Sequence, residues 1–135
     1  MRLRCISEVP NEAQARVLGA TYRSGRQSFG LIEGAEYLVF GLRILGGQVW
    51  VDITDDARDS RYLFSAPLSL FEIVDDRVPP IWVGRATAEG QFRLAPPSMF
   101  AQYYFDDLFE QRSDVVEDFQ KVRRKLEQWS GDGRV

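Results

Sequence analysis

The chain has 135 residues, 17 basic and 20 acidic side chains, a formal charge of −3 and no histidine. Without imidazole, most proton-transfer and nucleophile–imidazole chemistry near neutral pH is excluded. One cysteine excludes an internal disulfide and a cysteine-cluster zinc site.

The length suits one domain, which buries roughly two-thirds of its unfolded surface without a staple. A net acidic balance argues against a general nucleic-acid binder and fits a protein that meets a basic partner. No run approaches the ~18 apolar residues of a membrane span, and Ser7-Glu8-Val9-Pro10 interrupts any leader-like opening. The expectation is a soluble cytoplasmic protein with no cofactor.

In chain order, Leu3-Arg4-Cys5-Ile6 alternates as a strand with Leu3 and Cys5 on one face. Cys5 then reads as a small buried hydrophobe, not a reactive thiol. Asn11 and Gln14 have the spacing of a capping box, and Gly19 limits the helix they open. The glycines and arginines of 22–30 read as a loop.

The strongest signal is a pair of β-rich runs, 36–45 and 48–54, around Gly46-Gly47. A two-residue primed turn wants that composition. Pairing across it sets Ile44 opposite Val49, Leu42 opposite Val51 and Phe40 opposite Ile53, all on one face. The other face sets Gly41 opposite Asp52 and Arg43 opposite Trp50, where the guanidinium can stack on the indole. The C-terminal segment is the expected cover for Trp50.

Short strands follow at 62–64, 69–74, 81–87 and 91–94, the last two joined through Glu89-Gly90. Pro96-Pro97 ends the β portion because neither residue can extend a ladder. Ser98 is placed to cap a helix through Met99, Phe100, Tyr103 and Tyr104, ending near Leu108 or Phe109. In the last helix Asp114 is the expected cap, and Val115, Phe119, Val122, Leu126 and Trp129 form its apolar stripe. Gly131 and Gly133 are its stop signals.

Strands first and helices last define one α+β domain over 1–135, β-rich over 1–95 and helical over 97–130. The expected architecture is a strongly bent antiparallel sheet or small open barrel, an SH3-like meander, with C-terminal helices packed on it.

No constellation carries catalysis. Asp52, Asp55, Asp56 and Asp59 miss the calcium-loop spacing, and the glycines form no phosphate loop. Arg23, Arg26, Arg58 and Arg61 are spread among acids, which discounts a nucleic-acid track. Asp106, Asp107 and Glu110 adjoin Tyr103-Tyr104-Phe105. Paired carboxylates could serve a hydrolase or hold magnesium, but a helix end with exposed acids is the favoured reading. Such acids can offer carboxylates to the arginines and lysines of another protein.

Several stretches carry a family resemblance: Gly34-Ala35-Glu36-Tyr37-Leu38-Val39-Phe40-Gly41, Trp50 to Asp56, Ala66 to Asp75, and Tyr104-Phe105-Asp106-Asp107-Leu108. With the acidic-then-basic last helix, the chain over 31–128 resembles small bacterial immunity proteins of polymorphic or contact-dependent growth inhibition toxin systems. The resemblance implies a cytosolic protein that binds one cognate toxin domain, often a basic nuclease, and blocks it. Partner contacts are then expected at Asp55, Asp56, Asp59, Asp106, Asp107 and Glu110, with Trp50 and Tyr104 as anchors. The alternative expectation is a small barrel-like module that binds peptides or a ligand through exposed aromatics such as Tyr37, Trp50 and Trp82.

Overall fold

The computed structural model describes residues 1–11, 14, 16, 29–55, 59–86 and 90–132. The Gly19 helix stop and nearly all of the loop expected over 22–30 lie outside the described residues.

Among the described residues, eight strands form two antiparallel sheets. β1 (Arg2–Cys5), β2 (Glu36–Leu38) and β6 (Phe71–Asp75) make a three-stranded sheet in the order β2-β1-β6. β3 (Gly41–Leu45), β4 (Gln48–Asp55), β5 (Asp59–Pro67), β7 (Val83–Ala86) and β8 (Phe92–Ala95) make the second, in the order β5-β4-β3-β8-β7. Helices α1 (Tyr104–Phe109) and α2 (Ser113–Asp132) follow. The class is α+β, and neither sheet closes into a barrel.

Gly46 and Gly47 have φ of 60° and 76°, the left-handed backbone that a primed turn requires. The register across them is the one the alternation dictates: Ile44 opposite Val49, Leu42 opposite Val51, Arg43 opposite Trp50 and Gly41 opposite Asp52. The expected pairing of Phe40 with Ile53 is not part of this ladder, which stops at Gly41. The run expected as one strand is two strands in different sheets, joined by a crossing at Val39-Phe40. Val39 N–H donates to Met1 O in one sheet and Phe40 N–H donates to Asp52 O in the other.

That crossing marks the centre of the core. Val39 and Phe40 are fully buried, and the Phe40 ring stacks on Phe119 of α2 with centroids 5.1 Å apart. Burying a side chain of this size contributes ~1.5–3 kcal/mol. Leu3, Ile53, Leu70, Leu108 and Leu126 belong to the same cluster. Leu3 and Cys5 are both buried, as their alternation requires, and Cys5 Sγ donates to Ser7 O. Burial pushes the Cys5 thiol up from its ordinary range, which keeps it protonated.

Other boundaries shift for local reasons. β5 begins at Asp59 because that residue pairs back onto Asp55 of β4 across a register irregularity. Ser98 caps no long helix: Pro97–Phe100 is a 3-10 turn and Tyr103, at φ 65°, breaks the chain before α1 starts. Asp114 lies in the first turn of α2, while Arg112 offers the carbonyl that accepts from Val115 and Val116. Gly131 is inside α2, which continues to Asp132. The reciprocal pair at Asn11 and Gln14 is present, each backbone N–H donating to the other side chain. Among the described residues, no helix is long and apolar enough to cross a membrane.

Candidate functional site

The acidic residues of α1 stand on its outer side because the apolar ones are committed inward. Tyr104 and Leu108, four residues apart, are buried beneath the helix. The outer side then carries Asp106 and Glu110, both exposed, with Phe109 between them at 68% exposure. Tyr103 precedes the helix and is 64% exposed. Asp107 is half-buried and pairs with Arg112 Nη1 at 3.5 Å, while Arg112 Nε also meets Asp114 at 3.1 Å. Asp106 and Glu110 have no ion pair among the described residues.

Two contacts bring this face to the β4–β5 hairpin. Gln111 Nε2 donates to Arg61 O at 3.1 Å, and Tyr62 meets Phe109 edge-on with centroids 5.5 Å apart. Arg61 is two residues beyond Asp59, so the acidic end of α1 lies beside the start of β5. Backbone pairing also places Asp55 opposite Asp59 at that end of the hairpin. The side chains of Asp55 and Asp59, and the whole of Asp56, lie outside the described residues.

Of the two aromatics expected as anchors, Tyr104 is not available to a partner. Tyr104 is 5% exposed, and its hydroxyl donates to Asp118 Oδ2 at 2.8 Å, so it faces the core and not a partner. Burial first, then Asp118, drives the phenol well above its ordinary range, with the Ser98 hydroxyl acting in the opposite sense. Trp50 is half-buried under Phe29, whose ring meets it edge-on at 6.1 Å. Phe29, from the N-terminal side, supplies part of its cover. Phe109 and Tyr103 are the most exposed aromatics among the described residues, ahead of Phe92 on β8. For Phe109 the signal is helical spacing, since it lies off the inward Tyr104–Leu108 row.

Beneath α1, the sheet carries a buried ionic cluster. Arg85, Arg93 and Arg43 lie directly opposite one another on β7, β8 and β3. Arg43 lies over Phe105 at 4.7 Å and not over Trp50. Arg93 lies within reach of both Phe100 and Phe105, at 5.0 and 5.4 Å, and Arg85 lies over Phe100 at 4.6 Å. Like charges in register repel, and the rings offset part of that cost.

The carboxylate in this cluster is Asp52, fully buried, whose Oδ1 accepts from Arg43 Nε at 3.1 Å and from Ser65 Oγ at 2.7 Å. Its Oδ2 is 3.6 Å from Arg93 Nη2. Burial raises the Asp52 carboxyl above its ordinary range, opposed by Arg43, Ser65 and Arg93 in that order. Arg93 Nη1 donates to Met99 O at 3.1 Å, while its buried Nε and Nη2 have no hydrogen-bond partner among the described residues; through Met99 and the two rings the cluster fastens the Phe100–Phe105 segment to the sheet. Among the described residues, no group of three potential ligands is arranged to hold a metal.

Comparison with family models, curated proteins and solved structures finds no match to this chain.

Proposed function

We propose that this chain is a cytoplasmic immunity protein that binds a basic cognate toxin domain and neutralises it by stoichiometric occlusion. The observation that carries the reading is the outer face of α1. Two carboxylates without ion pairs among the described residues, Asp106 and Glu110, flank an aromatic ring that is 68% exposed. A large exposed ring rimmed by charge is the composition of an interaction hot spot. The carboxylates steer a basic surface into register, and Phe109 supplies the apolar centre of the contact. The packing of α1 on β5, through Gln111 on Arg61 O and Phe109 on Tyr62, sets the β5 backbone beside the same region. Occlusion requires no turnover chemistry from the immunity protein, which agrees with a chain lacking imidazole.

The experiment is co-expression with the variable C-terminal domain of a large secreted protein encoded immediately upstream. The reading expects rescue of growth and co-elution of the two chains in equal amounts. Rescue without any complex, or a complex without rescue, would count against occlusion.

A further inference from the structure

A cavity of about 270 Å³ lies between α2 and the chain on either side of β7 and β8. One wall is apolar, built by Ile81, Pro96 and Pro97. The two prolines present no N–H, so this wall offers no backbone donor. The facing wall is one stripe of α2, with Asp118, Lys121 and Lys125 spaced three and then four residues apart. Their Cα atoms span about 10 Å along the helix axis. A negative end and a positive end therefore share one small chamber.

The negative end is held in place. Tyr104, itself buried, donates to Asp118 Oδ2 at 2.8 Å, while Asp118 Oδ1 has no hydrogen-bond partner among the described residues. The positive end is available. Lys121 reaches Glu117 only at 3.7 Å with both side chains more than half exposed, a pairing easily exchanged for another. Ser98 adds a hydroxyl to the lining.

We propose that this cavity binds a free α-amino acid with an apolar side chain. Its ammonium sits on Asp118 Oδ1, its carboxylate on Lys121 and Lys125, and its side chain lies against Ile81 and the two prolines. A simple carboxylate would bring its charge towards Asp118, and a simple amine would bring its charge towards two lysines. A molecule carrying both charges satisfies both ends. The assignment stands independently of the toxin reading.

The test is a titration of the full chain with L-leucine, followed by amide and side-chain NMR shifts. Isocaproate, which lacks the amine, and isopentylamine, which lacks the carboxylate, serve as comparison ligands. The expected result is saturable shifts at Ser98, Asp118, Lys121 and Lys125. Each one-headed ligand should bind about tenfold or more weakly, the scale of one lost charge-assisted hydrogen bond. Asp118→Asn and the surface change Lys125→Gln should each weaken leucine by a similar factor, and Lys125→Gln avoids the buried Tyr104 contact. The proposal is overturned if leucine leaves these resonances unmoved at millimolar concentration. It is equally overturned if isocaproate binds as well as leucine, or if the folded Lys125→Gln chain binds unchanged.

Discussion

Gly41 and Asp52 face each other across the β3–β4 ladder, and the absent side chain at 41 makes room for the buried carboxylate at 52. A Cβ at 41 would lie 2.8 Å from Leu94 O and 3.1 Å from Asp52 Oδ2. The first neighbour is backbone and the second belongs to the ionic cluster, so neither can yield cheaply. Gly41→Ala is expected to cost about 1–3 kcal/mol, the range for overpacking a filled core. A urea midpoint within error of the parent would refute this.

Asp52 neutralises part of a row of three arginines. Asp52→Ala leaves Arg43 and Arg93 without their buried counter-ion, and the expected loss is about 3–5 kcal/mol. A double-mutant cycle with Arg43→Met isolates the pair: the second change should cost much less once the first is present. Additive losses would mean that the contact contributes nothing of its own.

A second ion pair predicts the acid limb of stability. Asp75 is nearly buried, and Arg77 donates to both its oxygens, from Nε at 2.8 Å and from Nη2 at 2.6 Å. Hydrogen bonding from Arg77 holds the Asp75 carboxyl well below the ordinary carboxylate range. The unfolded chain binds this proton first, so the stabilisation is complete above about pH 4 and declines as pH falls through and below that value. Asp52, raised by burial, has the opposite sign: its native form holds a proton more tightly, which favours folding as pH falls. Comparing the parent with Asp75→Asn removes the Asp52 contribution. The stability gap between them should be widest near neutrality and shrink in acid; a gap independent of pH would contradict the assignment.

Under the proposed function, Tyr104 and Phe109 separate folding from binding. Tyr104→Phe removes a part-buried hydrogen bond to Asp118 and should cost about 0.5–1.5 kcal/mol while leaving toxin inhibition intact. Phe109→Ala removes an exposed ring and should leave stability within about 1 kcal/mol while weakening the complex. Reversed effects would exchange their roles.

The hairpin register was legible because glycine pair, alternation and cross-strand apolar pairs all pointed to one solution. So was the stripe of α2, where Phe119, Val122 and Leu126 are buried at helical spacing. The crossing at Val39-Phe40 was not legible, because a fully buried run looks the same whether it continues one strand or passes between two sheets. Tyr104 and Phe109 were equally ambiguous: neighbouring aromatics on a short helix divide between core and solvent according to packing that composition does not encode. Phe29 over Trp50 and Phe105 over Arg43 are long-range contacts, and local pattern carries no information about them.

In the proposed function this surface covers a basic partner through Asp106, Asp107 and Glu110. Its most direct test is titration of the cognate toxin's activity by the purified chain at low and high salt, beside the triple change Asp106→Asn, Asp107→Asn and Glu110→Gln. The account predicts inhibition complete at one equivalent, and for the triple variant at least about tenfold weaker binding with a flatter salt dependence. Full inhibition by the triple variant with unchanged salt dependence, or no inhibition by the parent chain at equimolar ratio, would contradict it.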